Sequence, residues 1–170
     1  MPRVNEWRIE RVTDATPQLV DAARELFREY HEWLGEAVCS ARLPEEILSL
    51  PAPYSPPEGR LLLALAPDGT VSGVVGVRAV EDTVPATGEI KRLYVRPPYR
   101  GRGLGRYLAE QALEAAADLG YAEAVLTTLP ATMQRALRLY RSLGFVETEP
   151  FIDHSHEGSR VLMLYLRRRL

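Results

Sequence analysis

At 170 residues with 46% hydrophobic content, the chain holds enough apolar material for one core and reads as a single domain over residues 1–170. Lys and Arg total 21 against 23 Asp and Glu, and the net charge of −2 gives no global pull toward nucleic acid or an anionic membrane. One cysteine, Cys39, excludes an internal disulfide, the N-terminus lacks a signal-like apolar stretch, and the longest apolar run, Leu61 to Ala66, is far short of the roughly 20 residues of a membrane helix, so a reducing, cytoplasmic setting is expected.

In chain order, Trp7 to Val12 alternates apolar and polar residues as a half-buried strand does. Thr16 and Pro17 then offer an N-cap and a first-turn proline. Apolar residues follow at helical spacing (Leu19, Ala23, Leu26, Tyr30, Leu34), and Gly35 is placed to end the helix. From Glu36 to Gly59 the pattern loosens, with a short helix after Pro44 and a proline-rich loop, PAPYSPPEG. Two strands flank Pro67-Asp68-Gly69, which carries hairpin chemistry, and a third extended run covers Gly88 to Val95, so an antiparallel meander is expected. A helix from about Gly103, with Leu104, Leu108, Ala112, Ala115 and Leu119 on one face, stops at Gly120. Ala122 to Leu129 is a buried strand. The last helix spans about Thr132 to Leu143, with Ala136, Leu139, Tyr140 and Leu143 on one face and Gly144 beyond it, and VLMLYLRRR is the final strand. This order predicts an α+β or mixed α/β domain built around one sheet.

Arg100-Gly101-Arg102-Gly103-Leu104-Gly105 lies between a strand and a helix start. Glycines there let the backbone approach a ligand, and the positive end of the helix dipole favours phosphate. Lys91, Arg92, Arg96, Arg100, Arg102 and Arg106 add positive charge, and no acidic residue lies between Lys91 and Arg106. A polyphosphate is the expected partner. The Gly-Lys-Ser/Thr ending of a P-loop is absent, and Leu108 and Arg106 stand where GxGxxG would need glycine, which argues against ATP, GTP and NAD.

The stretch resembles the GNAT superfamily of acyl-CoA-dependent N-acyltransferases. Arg100, Gly103 and Gly105 match its Gln/Arg-x-x-Gly-x-Gly/Ala signature, GEIKRLYVRPPYR precedes it, and ALRLYRSLGF follows one helix and one strand later. The resemblance is strong over Gly88 to Phe145. It implies a GNAT-like fold: a twisted, mostly antiparallel sheet flanked by about four helices and splayed near the strand that binds coenzyme A. It implies acetyl-CoA as cosubstrate, with backbone N–H groups of Arg100, Gly101, Arg102, Gly103, Leu104, Gly105 and Arg106 on the pyrophosphate, and Leu93, Tyr94 and Val95 on the pantetheine arm. The acceptor would be an amine, on a small molecule or a peptide, and a homodimer is open as the assembly.

Acetyl transfer needs a neutral amine, whereas an alkyl ammonium titrates near 10.4, so a base is expected at the acceptor side. Glu89 shares a strand face with Leu93 about 13 Å away, a gap that a side chain, a water and the acceptor can fill, and several family members carry a glutamate there that works through water. A solvated edge carboxylate beside Lys91 is the alternative. Tyr140 aligns with the tyrosine that protonates the departing thiolate in many members, and core packing is its alternative. Met133 stands where many members place a cofactor-binding asparagine. Tyr30, His31 and Trp33 are expected at the acceptor entrance, with His31 as reserve base. His154 and His156, beside Asp153 and Glu157, are too close together to complete a metal site, so no metal is expected. A coenzyme A-responsive binding module without turnover is the competing function.

Overall fold

The computed structural model describes residues 6–35, 42–151 and 162–170. One seven-stranded sheet runs in the order β1-β2-β3-β4-β5-β7-β6. Its strands are β1 (Arg8–Val12), β2 (Arg60–Leu65), β3 (Val71–Val80), β4 (Thr87–Val95), β5 (Glu123–Thr128), β6 (Val146–Thr148) and β7 (Leu164–Arg169). Four helices accompany them: α1 (Pro17–Leu34), α2 (Leu43–Ser49), α3 (Leu104–Asp118) and α4 (Gln134–Ser142). Every neighbouring pair is antiparallel except β4 and β5, which are parallel. The crossover between those two is α3, as a parallel connection requires.

Two apolar clusters cover the two faces of the sheet. On one, Leu104, Leu108, Ala112 and Ala116 of α3 pack with Leu62, Val75, Val77, Ile90 and Leu126. On the other, Val20, Ala23, Phe27 and Tyr30 of α1 and Leu43 and Ile47 of α2 pack with Leu61, Leu63, Val74 and Tyr94. The spacing of three and four along α1 is what puts one stripe of that helix on the sheet. Gly73 admits α3 closely, because a Cβ there would meet Leu108 Cδ1 at 2.8 Å and the Tyr94 carbonyl at 2.9 Å.

Several local expectations need correction. The Thr16 hydroxyl donates to the Thr13 carbonyl rather than capping α1. The proline-rich stretch contains a 3₁₀ turn at Ala52–Tyr54, and Tyr54 is fully buried, filling the space left by Gly76. The last helix is shorter, and Leu137, not named above, joins Tyr140 as its buried residue. β7 begins at Leu164, after residues 162 and 163, which are not strand, and β6 is a separate three-residue edge strand.

The register between β3 and β4 decides where a ligand can enter. Val74 faces Tyr94 and Gly76 faces Lys91, so Val75 opposes both Arg92 and Leu93. Arg92 is the extra residue, and its φ of 60° puts it in the left-handed region, unusual for a non-glycine. Such a bulge bends its strand. On the other edge, β4 pairs with β5 only from Thr87 to Glu89, against Glu123 to Val125. Beyond Glu89 the two strands part.

Candidate active site

The fork between β4 and β5 holds a cavity of about 660 Å³. Its walls are β4 from Glu89 to Val95, Thr127 and Thr128 of β5, the start of α4, and Tyr30, Trp33 and Leu34 of α1. Because no β5 residue pairs with β4 after Glu89, the backbone groups on that edge face the cavity rather than a neighbouring strand.

At one end lies the glycine loop. Gly101 and Gly103 have φ of 75° and 85°, and Gly103 stands at the N-cap of α3, which has neither a side-chain cap nor an acidic residue in its first turn. The first amides of α3 are thus left available to an anion. Arg100 donates from Nε to the Val95 carbonyl at 2.7 Å, and its guanidinium lies 5.5 Å from the Trp33 ring and 5.4 Å from the Tyr94 ring. An open strand edge beside an uncapped, glycine-lined helix start fits a ligand that carries an amide-bearing arm and a pyrophosphate.

The basic cluster is smaller than its sequence suggests. Arg92 is bound in bidentate fashion to Glu46 of α2, at 3.0 and 2.8 Å, and Arg96 clamps Glu29 of α1 at 2.7 Å with Glu25 at 3.2 Å. Both arginines fasten helices to the sheet. Arg106 pairs with Glu110 and donates to Ser142, whereas Arg102 has no ion pair among the described residues. Leu93, Tyr94, Val95, Arg100, Gly101 and Gly105 line the cavity, while Arg102, Gly103, Leu104 and Arg106 do not. Leu104 turns into the core, so only its backbone is in a position to meet a ligand.

Glu89 is 2% exposed, which overturns the solvated-edge alternative. Its carboxylate accepts from Arg78 Nε at 2.9 Å and lies 3.7 Å from Lys91 Nζ. Burial pushes the Lys91 ammonium down to about 8, with Arg92 and Arg78 adding repulsion and Glu89 opposing the fall. Tyr140 reaches the same cavity from α4, 7% exposed, its ring edge-to-face with Phe145 at 5.8 Å. Its ring therefore belongs to the core, but its hydroxyl has no hydrogen-bond partner among the described residues. Burial, with Tyr30 adding to it, pushes the phenol well up.

Tyr30 and Trp33 line the cavity; His31 does not. Successive helical residues point about 100° apart, and His31 turns away, its buried Nδ1 without a hydrogen-bond partner among the described residues. Met133 lines the cavity too, and its sulfur accepts a long contact from Thr128 Oγ1 at 3.7 Å. Sequence reasoning missed Arg135 and Arg138 of α4, Thr127, and Lys91 as a wall of the cavity. The i,i+3 spacing of the two arginines at a helix start was the available signal. Cys39, Asp153, His154, His156 and Glu157 lie outside the described residues. Among the described residues no cluster of three His, Cys, Asp or Glu side chains could hold a metal, and no helix is long and apolar enough to cross a membrane.

Comparison with known proteins supports the same reading. Residues 18–145 match the acetyltransferase (GNAT) family. The chain is 38% identical to an uncharacterised N-acetyltransferase of Schizosaccharomyces pombe, over 79% of this chain and 81% of that one. It is 34% identical to the IAA acetyltransferase of Azospirillum brasilense, over 89% and 93%. Among solved structures, one from Salmonella typhimurium with its cofactor acetyl-CoA has a TM-score of 0.69 at 21% identity, covering 98% of this chain and 95% of that chain. The chain belongs to the GNAT family of acetyltransferases.

Proposed function

We propose that this protein transfers the acetyl group of acetyl-CoA to the nitrogen of an amine by direct attack, with both substrates bound together. The observation that carries the reading is the fork: an unpaired β4 edge, with the glycine loop at one end, Glu89 toward the α1–α2 face and Tyr140 across from it. The backbone of Leu93 to Val95 holds the pantetheine arm and places the thioester beside the bulge, and the amides at the start of α3 take the pyrophosphate. Arg78 fixes the orientation of Glu89. Glu89 takes one proton of the ammonium through a water, and the neutral nitrogen attacks the thioester carbonyl. Tyr140 gives its proton to the thiolate as the C–S bond breaks, and the proton still to be lost from the nitrogen returns to the Tyr140 phenolate as the amide is left. The described residues offer no activated nucleophile for a covalent intermediate, which favours direct transfer.

The test is release of free thiol from acetyl-CoA across a broad panel of amines, together with thermal stabilisation by coenzyme A. Turnover of any amine with transfer of the acetyl group supports the reading. Stabilisation by coenzyme A with no thiol release across the panel would instead establish a binding module. No stabilisation at millimolar coenzyme A would remove the cosubstrate itself.

A further inference from the structure

The α1–α2 face of β4 carries a buried ionic network that acetyl transfer alone does not require. Arg92 and Glu46 are matched in bidentate fashion, and Tyr54 donates to the same carboxylate. Arg78 holds Glu89 at 2.9 Å. Lys91 is the remaining cation of this network, 18% exposed at the side chain, and among the described residues its one carboxylate within 4 Å is the already occupied Glu89, at 3.7 Å. Among the described residues, three cations thus share two carboxylates on the floor of the acceptor side. The rest of the cavity, as the described residues line it, does not correct the imbalance: Glu89 is the only carboxylate they bring to its lining, and Arg135 and Arg138 at the start of α4 add positive charge.

A largely buried ammonium that shares its one close counter-ion with Arg78 is incompletely matched, an arrangement that an anionic ligand would complete. Among the described groups around Lys91, Arg78 from β3 and Arg92 from β4 repel it, and Glu46 of α2 attracts it only from a distance, its oxygens being taken by Arg92 and Tyr54. The missing partner is an anion that enters with the acceptor. Phosphate is a poorer fit than carboxylate, because it would also crowd Glu89, whose charge faces the same space.

We propose that the acceptor is an amine that also bears a carboxylate, and that Lys91 binds this carboxylate while the amine sits on the Glu89 side, within reach of that residue through a water. The proposal rests on the acetyl-transfer reading for the chemistry at the nitrogen, but not for the binding of the acid. Lys91 Nζ and Glu89 Oε1 are 3.7 Å apart, so the two groups of the acceptor are separated by only a few bonds, as in an amino acid. Lys91 here sets specificity, and it takes no part in the proton transfers.

Matched pairs of acceptors test it: alanine against ethylamine, phenylalanine against 2-phenylethylamine, and 4-aminobutyrate against propylamine. Each is assayed for thiol release from acetyl-CoA, and for thermal shift of the protein saturated with coenzyme A. The expected result is a preference of about tenfold or more in kcat/KM for the acid of at least one pair. Lys91→Met should remove that preference mainly by raising KM, and Lys91→Arg should restore part of it. Equal use of acid and amine in every pair, or a preference that survives in Lys91→Met, overturns the proposal while leaving acetyl transfer intact. A Lys91-dependent thermal shift by an acid, with no thiol release, keeps the anion site and removes the transferase reading. Neither shift nor turnover with any of the acids overturns the proposal.

Discussion

The ring of Tyr140 packs against Phe145 while its hydroxyl keeps no partner among the described residues, so removing the hydroxyl alone separates chemistry from packing. Tyr140→Phe should leave stability nearly unchanged and lower kcat by roughly 10²-fold, the usual contribution of a positioned general acid, in a single-turnover or steady-state thiol assay. Because burial raises its titration, the phenol stays protonated at neutral and mildly alkaline pH, and Tyr140 should add no alkaline fall to the pH–rate profile in that range. Glu89→Gln is the opposite case. It leaves Arg78 and Lys91 with a neutral amide, and the unpaired charges should cost about 3 kcal/mol in urea unfolding, the lower end for breaking a buried pair, since Arg78 is partly solvated. Its rate loss should recover in part at high pH, where free amine is abundant. Lys91 gives a pH signature of its own. Its folded titration near 8 lies below the unfolded 10.5, so between these values the unfolded chain holds the proton that the folded one has lost, and stability rises with pH. Relative to Lys91→Met, the wild type should gain on the order of 3 kcal/mol from pH 8 to 10.5, and tyrosine ionisation cancels in the difference. A flat difference across that window would place Lys91 in a solvated setting.

At the scale of elements, the start of α3 is the informative one. Gly105 lies in its first turn, with only Val95 Cγ2 near where a Cβ would sit, at 3.9 Å, and with the cavity beyond. Gly105→Leu should therefore fold as well as the wild type, or slightly better because Leu is the stronger helix former, yet lose at least tenfold in coenzyme A affinity measured by calorimetry. Unchanged affinity would put the phosphates elsewhere. This element was legible in the sequence because its signals are local: glycines at positive φ, a helix start with no acidic residue, and a strand just before it. The same holds for α1 between Pro17 and Gly35 and for the hairpin at Asp68 and Gly69. What stayed hidden was long-range. Arg92 meets Glu46 from 46 residues away and Arg96 meets Glu29 from 67, so two arginines counted toward an anion site fasten helices instead. Tyr54 read as part of a loop because nothing local announces that Gly76, on another strand, leaves room for its ring. β6, three residues long with Val146 exposed, has too little pattern to be seen. The bulge at Arg92, which bends β4 beside the fork, breaks the alternation that placed Glu89 and Leu93 on one face: Leu93 packs with the α3-side cluster, while Glu89 lies toward α1 and α2.

Over the whole molecule, a net charge of −2 coexists with a cavity whose charged lining residues are mostly cationic, so attraction for a polyanion is local and screened by salt. Coenzyme A at about a hundred times its Kd should stabilise the fold by about 2.7 kcal/mol, a rise of roughly 5–10 °C in Tm for a domain of this size. The rise should shrink as sodium chloride increases at fixed ligand, and a shift insensitive to salt would mean that apolar contacts dominate binding. The parting of β4 and β5 carries one more consequence. An unpaired strand edge is elsewhere a template on which other chains polymerise, and natural sheets blunt it with charge, proline or brevity. Here the open edge lies in the interior of the sheet, with strands on both sides of it and helices over its faces, so a second polypeptide has no straight approach. The fold keeps the hydrogen-bonding appetite of a strand edge for a thin, flexible guest and denies it, by depth alone, to aggregation.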